Sequence, residues 1–367
     1  MDNNYSPYFS SGPCKKYNSF NFSKLNSALI NRSHRCQDSK KKIKKALEIT
    51  KTALNIPQDY LIGITPGGAT CAMEMAIWNI LGQRVVDIFC WEEFSYAWGK
   101  DVQKLNIPNR YFSAKYGECP YLGEYNKEND VIFPLNGTTS GVWTEDLSWI
   151  PNNREGISLC DATSGAFCMD IDWRKLDVTV FSPQKGLGAE AGIGFMVLSP
   201  KAVHRINNYV PDRVIPRLFE LRVDNHLNYQ LFIDGTINTF SLITLEDYLL
   251  ALRWYINMGG LSFFLKIIEL NYQIIKQFVD NNKWIEFLVT DENIRSHVSV
   301  TLSLPLSDSN QIDRFLQILE ERKLAYDIGS FTHAPKGLRI WCGPTINPID
   351  LKKLLFLLKK VYYKLLD

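Results

Sequence analysis

Apolar and polar positions fall into blocks whose period changes along the chain. Leu61–Thr65 (LIGIT) reads as a short buried strand, Pro66–Thr70 (PGGAT) breaks it, and CAMEMAIWNILG reads as a helix that stops at Gly82. Further apolar runs read as strands at Val85–Trp91, Val131–Leu135, Gly156–Ala162, Asp177–Pro183 and Gly192–Ser199, and Asp101–Leu105 belongs to a helix. Strands and helices that alternate, with apolar strands, predict a mostly parallel sheet covered on both faces. After Pro200 the period becomes helical. Leu245–Gly260 is amphipathic and closes on a glycine pair, and Leu261–Asn282 is a long helix able to bridge to a second domain. The remainder reads strand, helix, strand, helix: HVSVTLSL, NQIDRFLQILEERK, GLRIWCG and NPIDLKKLLFLLKKVYYKLL. The expected fold is α/β. A large domain of residues 1–260 holds the mostly parallel central sheet, a small C-terminal α+β domain spans 261–367, and the first residues pack with the small domain.

Composition narrows the function classes. Hydrophobic residues make up 46% of the 367, enough for a sizeable core. Lys plus Arg is 41 and Asp plus Glu is 39, so the formal charge of +2 leaves no footprint for general nucleic-acid binding. The lysine cluster in Gln37–Lys51 reads as the solvated face of a helix whose apolar positions are Ile43, Leu47 and Leu54. The dense apolar stretch Leu354–Leu358 is far short of the roughly 20 residues of a spanning helix. The start, MDNNYSPYFSSGPC, lacks the basic-then-apolar pattern of a secretory signal. The eight cysteines form no C-x-x-C pair and fit a reducing compartment, so a cytoplasmic protein is expected. The five histidines never sit at metal-ligand spacing, and no metal is expected.

The most informative segment is Ser182–Met196 (SPQKGLGAEAGIGFM). A lysine at a strand end is ordinarily solvated. Lys185 instead stands between a buried strand and a glycine-rich turn, where partial desolvation keeps an amine neutral and nucleophilic. Asp161 ends another apolar strand, in CDATSGAF, where an acid is commonly a turn or helix cap. Ligands of such sheets bind beyond the carboxyl ends of the strands, and both side chains project there. A lysine for an aldehyde and an acid for a ring nitrogen is the pyridoxal phosphate arrangement. PGGAT, between strand and helix, offers backbone N–H groups to an anion; it is neither a Walker A loop nor G-x-G-x-x-G, and a simple tight turn is the alternative.

Strand–GGAT–helix, CWEEFSYAWGKDV, NGTTSG, CDATSG, SPQKG and INTFS, in this order, resemble the phosphoserine aminotransferase family. SSGPC, NRSHR (Asn31–Arg35) and KGLRIWCG fit as well, so the resemblance covers about residues 8–362. W-E-x-F and G-L-R-I-W-C-G point to its divergent branch. The resemblance implies the type I fold of pyridoxal-phosphate-dependent transferases and a homodimer. Lys185 corresponds to the Schiff-base lysine and Asp161 to the partner of the pyridine nitrogen. Ala69 and Thr70 match the backbone that holds the cofactor phosphate, Gln184 a further phosphate-side contact, and Thr138 the threonine bonded to the ring oxygen. Asn238 and Thr239 match a pair that reaches the phosphate from the neighbouring subunit, although Phe240 stands where the family usually has proline. Phe94 is the expected stacking ring, with Trp98 and Trp91 close by.

On the substrate side, Arg339 corresponds to the arginine that binds the substrate carboxylate. His34 and Arg35 correspond to the pair that holds the distal anion, partly across the dimer interface. His333 stands near a position where relatives often carry arginine. The implied reaction moves the amino group of L-glutamate onto 3-phosphohydroxypyruvate, giving O-phospho-L-serine for serine biosynthesis; relatives also aminate a related phosphorylated keto acid on the way to pyridoxine. Two alternatives are a serine/alanine–glyoxylate-type aminotransferase of the same fold, which needs no pocket for a substrate phosphate, and a non-catalytic dimeric binding protein.

Overall fold

The computed structural model describes residues 5–144, 146–305 and 309–366. In chain order the strands are β1 (Leu61–Pro66), β2 (Val86–Cys90), β3 (Asn109–Ser113), β4 (Asp130–Pro134), β5 (Asn136–Gly137), β6 (Val142–Trp143), β7 (Ser158–Asp161), β8 (Val178–Phe181), β9 (Ile193–Leu198), β10 (Arg222–Val223), β11 (His226–Leu227), β12 (Glu286–Phe287), β13 (Ser299–Ser303) and β14 (Gly337–Trp341). The α-helices are α1 (Gln37–Ala53), α2 (Gly68–Ile80), α3 (Glu93–Lys104), α4 (Pro200–Asn208), α5 (Leu242–Asn257), α6 (Gly260–Asp280), α7 (Ser309–Glu321) and α8 (Pro348–Leu366).

Seven strands form the central sheet in the order β1-β9-β8-β7-β4-β2-β3. β3, β2, β4, β7 and β8 run parallel, and β9 lies antiparallel between β8 and β1. The inner strands are apolar on both faces because both are covered: Phe89, Phe133, Phe181 and Phe195 enter one core, Ile88, Ile132, Val180 and Met196 the other. A second, three-stranded antiparallel sheet, β12-β13-β14, shares its apolar core with α6, α7 and α8. The two sheets are joined by the chain's first described residues. Tyr326 and Trp341 donate backbone N–H groups to Pro7 and Phe9, and Cys14 then donates to Gln184 O at 2.8 Å.

Two boundaries differ from the sequence pattern. α2 starts at Gly68, inside the expected breaker, because Gly67 and Gly68 both take positive φ (65° and 70°) and turn the chain directly into the helix. α3 extends back to Glu93, well before the expected Asp101, because Glu92 and Ser95 form a reciprocal capping box. Elsewhere the expected strands agree to within two residues at each bound: β1 ends one residue later and β4 starts one residue earlier than expected, and the others lie within the expected runs.

Charged groups inside the large sheet sort by end. At the amino ends of the strands Asp87, Asp130 and Asp177 are buried and each binds an arginine: Arg110, Arg205 and Arg154. Among the described residues no helix is long and apolar enough to cross a membrane, and no cluster of three His, Cys, Asp or Glu is placed to hold a metal.

Candidate active site

At the opposite, carboxyl end of the sheet the strands open into a cavity of about 380 Å³. Each wall comes from the residues just past a strand: Gly67–Thr70 after β1, Glu92 and Phe94 after β2, Asn136 and Thr138 after β4, Asp161 and Thr163 at the end of β7, and Ser182 to Lys185 after β8. Gly12 and Pro13 of the N-terminal segment close one side. The position is the one that a parallel sheet favours for a ligand.

Lys185 is buried, and its ammonium donates to Ser11 O. Burial pulls its pKa down from the usual lysine range, and the nearby Arg339 charge adds to the drop. A Cβ at Gly12 would come within 2.5 Å of Lys185 Nζ, so glycine there is what leaves the amine room. Asp161 accepts from Thr163 N at 2.7 Å and from the Thr163 hydroxyl. Burial pushes its pKa up to about 6, opposed by the Thr163 hydrogen bonds and the Lys185 charge. Thr138 donates to Ser164 Oγ at 2.8 Å, and Asn136 Nδ2 does so too, which fixes the β5–β6 turn beside Asp161.

The α2 end of the cavity has the character of an anion cradle. The first N–H groups of a helix have no partner within it, and their dipoles favour a negative ligand. Ser182 Oγ and Gln184 Oε1 are buried nearby without a hydrogen-bond partner among the described residues. Orphaned buried polar atoms are costly unless a ligand or water completes them. Two positive-φ glycines, an unpaired hydroxyl, a desolvated lysine and a half-buried carboxylate therefore suit one molecule that carries a phosphate, an aldehyde and a basic ring nitrogen.

The structure brings Ala69, Thr70, Phe94, Thr138, Asp161, Gln184 and Lys185 to this one cavity. Phe94 is partly exposed at its mouth, and Trp98 also lines it, whereas Trp91 is wholly buried and donates to Val142 O. Arg339 stands next to the cavity. Its Nε is buried without a partner, its guanidinium lies 5.7 Å from the Phe331 ring centroid, and it makes no ion pair among the described residues. The remaining candidates lie outside the cavity of the single chain. His34 is buried against Phe240, with Nε2 unpartnered, and Arg35 is exposed just before α1. His333 is exposed, 3.8 Å from Glu93. Asn238 keeps an unpartnered buried Oδ1, and Thr239 faces solvent.

Sequence reasoning passed over Ser182, Thr163, Ser164 and Glu92. Ser182 sits three residues before the lysine and Thr163 two after the aspartate, so strand-end position was the available signal. Glu92 gave none, because an acid before a helix is an ordinary cap.

No family model matches the chain. The phosphoserine aminotransferase of Methanosarcina mazei is 44% identical over 348 residues, covering 94% of each chain. Among solved structures, a phosphoserine aminotransferase from Cytophaga hutchinsonii superposes with a TM-score of 0.83 at 20% identity, covering 96% of this chain and 98% of that one. The pyridoxal-phosphate-bound phosphoserine aminotransferase of Trichomonas vaginalis follows at 0.75 and 18%, covering 96% and 99%. The ureidoglycine–glyoxylate aminotransferase of Bacillus subtilis also reaches 0.83, at 13% identity, covering 98% and 93%; shape alone does not separate these activities.

Proposed function

The chain belongs to the phosphoserine aminotransferase family and is a transaminase that uses pyridoxal 5′-phosphate, and from that premise we propose that it transfers the amino group of L-glutamate to 3-phosphohydroxypyruvate, giving O-phospho-L-serine and 2-oxoglutarate. The observation that carries the reading is the convergence of buried Lys185 and half-buried Asp161 on one cavity beside the start of α2.

In this reading Lys185 holds the cofactor aldehyde and Asp161 faces the ring nitrogen. Phe94 covers one ring face, Thr138 binds the ring oxygen, and the first turn of α2 holds the phosphate with Ser182 and Gln184. When bound, the cofactor supplies an electron sink for the amino-acid Cα. The chain supplies the rest. Lys185 Nζ, whose pKa burial pulls down from the usual lysine range, takes the proton from the substrate Cα and later returns one. Asp161, ionised above about pH 6, keeps a proton on the ring nitrogen. Arg339, with no anionic partner among the described residues, orients the substrate α-carboxylate.

His34, Arg35, Asn238 and Thr239 are assigned across a homodimer interface. Arg35 and His34 of one chain hold the distal phosphate in the neighbour's site, and Asn238 with Thr239 completes the cofactor-phosphate site there. Their position outside the single-chain cavity, and the unpartnered Asn238 Oδ1 and His34 Nε2, support this division. The same position also favours the rival reading, a glyoxylate-type transaminase that needs no phosphate pocket. Single-turnover amination of the bound cofactor by phosphoserine, serine, alanine and glutamate separates the two. Phosphoserine and glutamate react fastest under the proposal; a preference for serine or alanine gives the site to the rival.

A further inference from the structure

The cavity contains a second acid, fully buried, that the family reading does not use. Glu92 lines it together with Asp161 and Lys185, and is 2% exposed. Both carboxylate oxygens are engaged. Oε1 accepts from Ser95 N at 2.9 Å, in the first turn of α3, and Oε2 accepts from Thr139 Oγ1 at 3.0 Å. Thr139 Oγ1 also accepts from Glu93 N at 3.0 Å, so the β5–β6 turn and the start of α3 are bonded twice. Gly137 makes room for this: a Cβ there would meet Glu92 Cγ at 3.0 Å and Trp91 Cδ1 at 2.9 Å.

The two elements held together both line the cavity. Phe94 hangs from the first turn of α3, and Thr138 precedes the bonded threonine. Whatever fixes Glu92 therefore fixes the spacing between the stacking ring and the turn beside Asp161. An uncharged cap would serve a helix end equally well. A carboxylate buried among Asp161, Lys185 and Arg339 does more, because its charge acts on each of them at low dielectric.

We propose that Glu92 is a positioning residue of the active site, which locks the Phe94 end of α3 to the Thr138–Thr139 turn and supplies a second negative charge facing Lys185 and Arg339. The spectroscopic part of this inference rests on the assignment of Lys185 above; the clamp does not. Burial pushes Glu92 up to about 7, the Asp161 charge adds to that, and Ser95, Thr139 and Lys185 oppose it. Cys90, Tyr96 and Tyr116 are the other titratable groups that feel it. Glu92 therefore changes charge near pH 7.

The test uses the holoenzyme and then the cofactor-free chain. Glu92→Gln keeps the shape and removes the charge, so the pH midpoint of the lysine-linked visible absorption band should fall by about 0.5–1 unit, since a lost anion disfavours a cation beside it. Thr139→Val strips the hydroxyl that favours ionised Glu92 and should move the midpoint the same way by less. Midpoints within about 0.2 unit of wild type in both variants overturn the proposal. The cofactor-free chain gives an independent reading. The folded pKa of Glu92 lies above its ordinary 4.5, so its contribution to stability is complete below that value and lost as pH rises through about 7. The Tm of Glu92→Gln should accordingly gain on wild type between pH 5 and pH 8, and a constant difference overturns the charge role. Absence of a lysine-linked band in the wild type counts against Lys185 instead, because the cofactor-free profile reads Glu92 alone.

Discussion

At the amino end of the central sheet three buried aspartates are matched by three arginines, and at the carboxyl end the charges have no such partners. Asp130 takes two hydrogen bonds from Arg205, at 2.9 and 3.0 Å, and one from Ile157 N at 2.8 Å. Asp177 is held by Arg154, Ser158 and Ser199. Thirty ångströms of sheet are not needed to change the rule; a strand of four or five residues, on the order of 15 Å, is enough. Beyond the other end Lys185, Asp161, Glu92 and Arg339 sit in or beside one cavity, and none makes an ion pair within 4 Å among the described residues. Complete pairing fixes structure; incomplete pairing leaves charges for a ligand to complete, and moves pKa values into the range where protons are exchanged.

The comparison is sharpest under substitution. Lys185→Ala should reduce turnover by at least about a thousandfold, since one group both binds and transfers a proton, while Tm stays within about 3 °C of wild type. Arg205→Ala should do the opposite. It leaves Asp130 buried and unpaired, which costs about 3–5 kcal/mol of stability, and the protein that remains folded should keep its kcat. Equal losses of activity and stability in both variants would erase the distinction between the two ends.

Under the proposed function, Arg35 and Arg339 divide the substrate side. Losing one charge-assisted hydrogen bond of about 1.5–3 kcal/mol weakens capture roughly ten- to a hundredfold. Arg35→Ala should show that loss with phosphoserine and little with serine, whereas Arg339→Ala should show it with every amino acid. If sites are shared between chains, mixing inactive Lys185→Ala with Arg35→Ala should restore about one quarter of wild-type activity through hybrid dimers. No restoration would place Arg35 in its own chain's site. The smallest effect is on pH. Below about pH 6 Asp161 gains a proton and no longer favours a charged ring nitrogen, so cofactor uptake by the cofactor-free chain should weaken about tenfold per unit. A flat uptake profile from pH 5 to 7 would remove Asp161 from that role.

The chain's own pattern revealed the sheet because buried parallel strands are continuous apolar runs, and it revealed Lys185 and Asp161 because they close two of those runs. It did not reveal that β9 runs antiparallel, since an apolar strand looks the same in either direction. Gly67 and Gly68 read as a break, whereas their positive φ starts α2. Glu92 stayed hidden for a related reason. As a helix cap it is ordinary, and only the fold shows that the cap lies on the cavity wall. His34, Arg35, Asn238 and Thr239 were legible only through resemblance, because residues that would serve a neighbouring chain, as proposed for these four, leave no local pattern in the sequence.

The most direct test of the account is the site of covalent attachment. Borohydride reduction of the holoenzyme, digestion and peptide mapping should put the cofactor mass on Lys185, at the carboxyl end of the sheet. Lys175 and Lys201 are bound at the opposite end, to Ile150 O and to Arg154 O and Gly156 O. A label on either of them, or on any lysine other than Lys185, would contradict the assignment of the cavity.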